Sequence, residues 1–506
     1  MRRTIRVLVV VDGGVNHARL AGFGVGRFIE LLRSTTLGCT TFSVDVAERG
    51  ELDFVDHGPG GGDHLRYESF RFDSQIGRER VLDRYQEAFL FGINPGELGI
   101  PVTPIGEAER TAILSWMDAG NGIFATGDHE NLGANLASGI PRVRSMRRWT
   151  AADGVPTVEG PTRLDTNQPE TPAEYAGTAQ IARDAEEDAI PQPLRWIPVS
   201  RYRSGWTEVR RPHEILCHPL HGPIDVMPDH PHEGTCFTTA EISGHARRRA
   251  DFPGSELPQV IAQGFVVPDP PFQHHKGDVP ASTIQMVSVY DGWKENVGRV
   301  VVDSTWHHWF NLNLAGIEAA GGVNWDKISR YFVNVAKWIA PPGAYRARCW
   351  WELLDSHFRY PGIEEFHPKA SVLELGNGLR DSLVRLHGAC TVRMLALDSI
   401  CEIAPELCHG LRERFERPEP PGCLTCPPIE LIERVVLGGF VRGTMPIAAR
   451  VHESIREGKR VELSAKDIGT AAMAGAEAAL KELRTEVLGS LRSVEKMFAP
   501  LEAARQ

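Results

Sequence analysis

Apolar residues in the first 150 positions alternate between the spacing of buried strands and the spacing of helices. Strand-like runs stand at 5–11, 42–46, 88–93 and 122–126. Between them, the apolar residues of segments 23–32, 78–88 and 107–119 have the spacing of a helix. Continuous β-branched runs are typical of strands buried on both faces of a parallel sheet. Strands that alternate with helices predict βαβ units, so this part of the chain is expected to begin a doubly wound α/β domain.

The pattern changes along the rest of the chain. Residues 151–195 are rich in Pro, Thr, Asp and Glu and lose apolar periodicity, which is typical of a surface insertion. Strand-like runs return at 258–267, 284–290 and 299–303, before a predicted helix at 328–339. The fold class predicted is a flavodoxin-like doubly wound parallel sheet with a mainly helical C-terminal region. Its segments are the first part of the α/β domain at 1–150, the insertion at 151–195, the second part of that domain at 196–345, and a helical C-terminal domain at 346–506.

Composition narrows the classes of partner. A net charge of −11 is unfavourable for a broad nucleic-acid surface. No apolar stretch approaches the ~18 residues that a membrane-spanning helix needs, so no membrane partner is expected. The short apolar run 7–11 ends at Asp12 without a cleavage pattern and is interpreted as a first strand, not as a signal peptide. Nine scattered cysteines suit a reducing compartment better than a disulfide framework, so a cytoplasmic location is predicted.

Polar residues follow the predicted strands, where ligands bind in open parallel sheets. They are Asp12, Asn94, Asp128, His129, Asp303, Trp306, His307 and His308. Asp128 and His129 stand where a nucleophile elbow would carry Ser or Cys, and they could act as a general base or as metal ligands. The alternative is that Asp128 only caps the following helix. We predict a single site, with Asp128, His129 and His307 as catalytic residues and Asp12, Asn94 and Trp306 as substrate-binding residues.

Histidines and carboxylates are dense between positions 213 and 233, and imidazoles with carboxylates can bind Zn²⁺ or a similar divalent ion. The predicted metal ligands are His129, His218, Asp303 and His308. None of the spacings matches a named zinc motif, so a polar loop with hydrogen-bonded histidines is the alternative.

Two further clusters have open interpretations. Four arginines lie within 142–148, and Arg142 and Arg144 are predicted to bind an anionic substrate group, because guanidinium forks suit phosphate and carboxylate. The alternative is a solvated face paired with acids of the insertion. Cys401, Cys408, His409, Cys423 and Cys426 could hold a structural zinc, with buried or free thiols as the alternative.

The order of these pieces resembles the ThuA-like (trehalose utilisation) family of the class I glutamine amidotransferase-like superfamily. The matching segments are 5–12, 114–129, 217–234, 297–309 and 331–340. The resemblance implies a histidine after the central strand, an His-Pro before an acidic segment, and a histidine after a Gly-Arg-Val strand. The counterparts here are His129, His218-Pro219 with 229–233, and 298–300 with His307.

This chain departs from the family pattern at two points. The elbow reads Thr-Gly-Asp-His without a cysteine, which argues against glutaminase activity. A Trp-His-His sequence replaces the terminal Gly-His, which leaves the assignment open between His307 and His308.

The function predicted from these patterns is that of a hydrolase acting on a small polar, sugar-like or anionic substrate. The prediction allows for a metal ion that assists the hydrolysis, and His129 is the expected general base or, if an ion is present, a metal ligand. The alternative is a non-catalytic ligand-binding or assembly module. In that case the Ala- and Leu-rich helix that begins near Ser464 would pack on a sister chain and form a homo-oligomer.

Overall fold

The computed structural model describes most of the chain. The described residues are 3–12, 14–37, 40–92, 105–127, 134–149, 191–204, 207–229, 234–266, 282–341, 350, 353–354, 357, 370–387, 389–407 and 429–503. The chain divides into two compact units. The α/β unit comprises 2–199 and 211–345, and the helical unit comprises Met1, 200–210 and 346–506.

An eleven-stranded sheet forms the centre of the α/β unit. Its strands are β1 (Arg3–Asp12), β2 (Thr36–Leu37), β3 (Thr40–Arg49), β4 (Val55–Asp56), β5 (Tyr67–Phe70), β6 (Glu87–Gly92), β7 (Gly122–Gly127), β8 (Arg195–Trp196), β9 (Gln259–Val266), β10 (Ser282–Tyr290) and β11 (Val300–Asp303). The spatial order is β8-β9-β10-β11-β7-β6-β1-β3-β5-β4, with β2 paired to β3. The six central strands from β11 to β5 are parallel, whereas β10, β9, β8, β4 and β2 pair in antiparallel fashion.

Helices cover both faces of this sheet, which confirms the predicted doubly wound α/β class. The helices of the α/β unit are α1 (Gly26–Ser34), α2 (Glu107–Asp118), α3 (Ala134–Ala137), α4 (Thr239–Ser243), α5 (Ala246–Arg249), α6 (Asn311–Ala320) and α7 (Gly322–Ile339). One buried cluster joins Phe28 of α1 and Phe332 of α7 to Val9 of β1. A second cluster, on the opposite face, joins Trp116 of α2 to Leu8. Alternate residues of β1 thus serve two cores, which explains its continuous apolar run.

Shorter elements complete this unit. Two-stranded pairs form between Gln75–Ile76 and Glu79–Arg80, between Gln192–Pro193 and Val226–Met227, and between Cys217–His218 and Gly222–Pro223. Single 3-10 turns lie at Val81–Arg84, Val143–Ser145, Glu214–Leu216 and Gly292–Glu295. The predicted helix at 78–88 is therefore wrong. Gly77, at φ 66°, turns the chain so that Arg80 pairs back with Gln75, and this pairing removes the residues that a helix would need.

The helical unit contains α8 (Val372–His387), α9 (Ala389–Ile403), α10 (Ile429–Arg456) and α11 (Ala465–Ala503). It also contains a pair of strands at Ser200–Ser204 and Thr207–Arg211, except for the last residue, Arg211, which belongs to the α/β unit. Helices α10 and α11 approach closely at glycines. A Cβ on Gly475 would lie 2.1 Å from the carbonyl oxygen of Gly439, and a Cβ on Gly443 would lie 2.1 Å from that of Ala471. Only residues without a side chain allow this antiparallel contact. Among the described helices, none has an apolar stretch long enough to cross a bilayer.

Candidate functional site

The loop at 304–310 leaves β11 at the carboxyl ends of the parallel strands, and Asp303 is its polar centre. The Asp303 side chain is fully buried. Its carboxylate accepts hydrogen bonds from His308 Nδ1 at 2.8 and 2.9 Å, from Trp309 Nε1 at 3.1 Å and from the Tyr331 hydroxyl at 3.1 Å. Burial, and then the Asp303 charge, raise the pKa of Tyr331, so its phenol stays protonated and donates. The buried charge is therefore compensated from three sides.

His307, the neighbouring residue, forms a second carboxylate–imidazole pair. Its Nδ1 lies 2.9 Å from Asp229 Oδ2 and 3.2 Å from Asn313 Oδ1. The amide nitrogen of Asn313 donates to the same Asp229 oxygen at 2.7 Å, which fixes the orientation of the amide. Because Nδ1 faces two oxygens, it must carry the proton, and the lone pair of the neutral ring is then on Nε2.

Thr305 connects these two pairs through its backbone and side chain. Its amide donates to Asp303 Oδ1 at 3.3 Å, and its hydroxyl accepts from the amide of His307 at 3.3 Å. Its carbonyl accepts from the Thr126 hydroxyl of β7 at 2.9 Å. All three contacts are buried, so the loop is tied both to its own strand and to the neighbouring one.

Trp306 covers the His307 imidazole. The two rings stack with centroids 3.8 Å apart. Phe23 and Phe310 meet Trp306 edge to face at 4.8 and 4.6 Å. Trp306 and His307 each remain 5% exposed, whereas His308 is completely buried. Of the two adjacent histidines, His307 is therefore the more exposed as a residue, and the Nε2 atom of each ring is buried.

Asp12 does not join this loop, which corrects the expectation that all strand-end acids converge. It pairs with Arg49 Nε at 3.4 Å, and Arg49 Nη1 donates to Glu109 of α2 at 2.6 Å. These contacts place Asp12 on the α2 face, whereas Asp303 contacts Tyr331 of α7 on the other face. Asp12 also lies three strands from β11, which is about 14 Å at ~4.8 Å per strand. One small ligand cannot bridge that separation across the sheet.

Arg142 and Arg144 point away from the carboxyl ends of the strands, so the expectation that they face the site is wrong. Arg142 pairs with Asp118, the last residue of α2, which leads into the amino end of β7. Arg144 binds Asp251 through two hydrogen bonds at 2.8 and 2.6 Å. These partners come from the α/β unit itself, and they neutralise both guanidinium groups.

The described members of the predicted metal set do not assemble. His218 lies in a surface hairpin, where its Nδ1 accepts from the amides of Leu220 and His221 at 3.1 and 3.0 Å. Burial, followed by the neighbouring His221, lowers the pKa of His218 to about 4, so the ring is neutral. Asp303 and His308 bind each other instead. Within the described residues no group of three or more potential ligands is gathered.

Three predicted site residues, Asn94, Asp128 and His129, lie outside the described residues. Thr126 and Gly127 end β7 beside β11, because Ala125 pairs with Val302. The end of β7 therefore lies next to the 304–310 loop.

Three of the described cysteines have a defined state of the thiol. Cys217 and Cys236 are free thiols. Burial raises the pKa of the Cys236 thiol, which keeps it protonated and unreactive. Cys401 is disulfide-bonded, which corrects the expectation of free or zinc-bound thiols at this position. The remaining predicted zinc ligands, Cys408, His409, Cys423 and Cys426, lie outside the described residues.

Three residues of the site were not predicted as site residues: Asp229, Asn313 and Tyr331. Asp229 carried a signal, since it stands in the histidine-rich stretch and begins the acidic segment, 229–233, that the resemblance matched. Asn313 and Tyr331 lie within helical patterns that show only core spacing. Their roles follow from the way α6 and α7 pack back against β11.

The fold and this loop together define a doubly wound α/β protein with two carboxylate–imidazole pairs beside the carboxyl end of β11. Neither a protein-family model, nor a curated protein, nor a solved structure matches the chain.

Proposed function

We propose that the α/β unit is a hydrolase for a small polar, sugar-like or anionic substrate, with His307 as its general base. The observation that carries this proposal is the 2.9 Å contact between Asp229 Oδ2 and His307 Nδ1. A carboxylate on Nδ1 holds the imidazole in the tautomer whose Nε2 can accept a proton from water. It also stabilises the imidazolium that forms when the proton is taken.

We further propose that the chain is a ThuA-like protein without glutaminase activity. The doubly wound sheet and the position of His307 after β11 support the resemblance. The elbow at 127–129 contains no cysteine. Cys236, a free thiol that faces the carbonyl oxygen of Val302 in β11, is too deeply buried to act as the nucleophile. Metal assistance remains part of the proposal only through residues outside the described ranges, His129 among them.

The test is a hydrolysis screen on the full-length protein with chromogenic esters, glycosides and phosphate esters. His307→Asn is expected to lower turnover by about 10²-fold or more, the usual contribution of a general base. Asp229→Asn should lower it less, because the base remains but its orientation is lost. His57→Asn is the matched control, since His57 is an exposed histidine whose ring pairs with Glu68 of β5. Equal turnover by wild type and His307→Asn would remove the proposed role.

A second candidate function, assembly through the C-terminal helices, has one specific observation in its favour. The antiparallel contact of Gly439 with Gly475 places residue 485 beside the first residue of α10. Helix α11 continues for about 18 further residues, or ~27 Å at 1.5 Å per residue. Val487 and Leu488 of this extension are exposed. We propose that a second copy of the chain packs on it.

A further inference from the structure

We infer that Asp303 is the positioning residue for His307 and acts on it through the backbone of the intervening loop. The inference rests on the proposed function, because positioning matters only where His307 is the reactive group. It concerns the geometry of the loop at 304–310, which we call the histidine loop.

Asp303 holds the histidine loop at both ends. At the start of the loop it accepts from the Thr305 amide, and near the end it accepts from His308 and Trp309. The Tyr331 hydroxyl binds the same carboxylate from α7. The buried Asp303 carboxylate thus links the two ends of the histidine loop to each other and to α7.

The connection to His307 runs through Thr305. The Asp303 carboxylate fixes the Thr305 amide, and the Thr305 hydroxyl accepts from the His307 amide at 3.3 Å. On the other side of His307, the His308 ring is held by Asp303 at 2.8 Å. The backbone of His307 is therefore restrained on both sides by groups that depend on Asp303.

An aspartate is required at position 303 because every group that contacts its carboxylate is a hydrogen-bond donor. An aspartate offers two oxygens with about four lone-pair positions and no competing donor. An asparagine would aim an N–H at one of the donors, and a buried donor without an acceptor is costly. Asp303 is itself fully buried, so water cannot replace its oxygens.

Two tyrosines provide a matched pair of test positions. Tyr331 and Tyr290 are both fully buried. The Tyr331 hydroxyl donates to Asp303, whereas within the described residues the Tyr290 hydroxyl has no hydrogen-bond partner. Tyr331→Phe therefore removes one donor from the Asp303 carboxylate, and Tyr290→Phe removes a hydroxyl of the same size that contributes nothing to it.

The experiment measures the imidazole Nδ1 protons of the full-length protein by low-field proton NMR in water. Histidine N–H protons bonded to buried carboxylates are expected at low field, and His307→Asn and His308→Asn assign them. Hydrogen–deuterium exchange at the C2 position of each imidazole, read by mass spectrometry, supplies the same comparison where the resonances are broad. Neither measurement requires a substrate.

We expect Tyr331→Phe to speed the exchange of the His307 proton about fivefold, the factor that corresponds to one ordinary hydrogen bond, and Tyr290→Phe to leave it unchanged. Asp303→Asn should affect both histidines more strongly. The inference is overturned if Tyr331→Phe changes His308 alone and the His307 proton keeps its position and exchange rate. Failure of the hydrolysis screen leaves this readout intact, so the two proposals fail separately.

Discussion

The change in stability of the helical unit with pH should depend on one buried histidine, His357. His357 is 9% exposed, and its Nε2 lies 2.9 Å from the Thr444 hydroxyl. That hydroxyl donates to the carbonyl of Phe440, so His357 Nε2 is the donor in the contact. Burial lowers the pKa of His357 to about 4, because the charged ring would lose its hydration.

The sign and the size of the effect follow from this lowered pKa. As the pH falls through ~6.5, the unfolded chain binds a proton at His357 that the folded chain does not bind until about pH 4. The free energy of unfolding is therefore undiminished above pH 7 and decreases as the pH drops from there toward 4. The loss that His357 alone causes is about 2 kcal/mol at pH 5 and about 3 kcal/mol at pH 4.

The assay is urea unfolding of the full-length protein at pH 7.5 and pH 5, followed by the helical circular dichroism signal. His357→Gln keeps a donor toward Thr444 but does not titrate, so its loss of stability between the two pH values should be smaller by about 2 kcal/mol than that of wild type. His452→Gln is the control, because His452 is exposed on α10. Parallel pH dependences for wild type and His357→Gln would refute the reasoning.

Two further predictions concern the long helices of the same unit. Gly475→Ala should destabilise the protein, because its Cβ would lie 2.1 Å from the carbonyl oxygen of Gly439. Gly489→Ala, with no neighbouring atom within 4 Å among the described residues, should instead stabilise it by ~0.5–1 kcal/mol through helix propensity alone. The urea unfolding midpoints of both variants check this prediction, and equal shifts would contradict the close approach of the two helices. Lysine at both Val487 and Leu488 should convert an oligomer to a monomer without loss of helix, as measured by light scattering; an unchanged mass would exclude assembly through this face.

Much of the fold could be predicted because the core strands carry their own signal. Strands β1, β6 and β7 are buried on both faces, so each carries an uninterrupted apolar run at 7–11, 88–91 and 123–125, which can be recognised without knowledge of its neighbours. The segment 78–88 failed for the opposite reason. Val81, Leu82 and Tyr85 have helical spacing, but a turn at Gly77 and a strand pairing occupy 75–80, and only a single 3-10 turn follows, at Val81–Arg84.

The candidate site was predicted only where neighbours in sequence are also neighbours in space. Asp303, Trp306, His307 and His308 belong to one loop after one strand, so local pattern was enough to select them. Asp12 was misplaced because the side to which a strand-end side chain points depends on the pleat and on which helix covers that face.

The sequence by itself determined the buried strands, the helical C-terminal region and the ionisable residues that follow β11. Tertiary structure alone decided that Asp229 would meet His307 and that Tyr331 would meet Asp303, across separations of 78 and 28 residues. Apolar spacing records only whether a position faces a core. The partner of a buried polar group is chosen when elements pack, since each donor left without an acceptor in the interior would raise the free energy of the folded state.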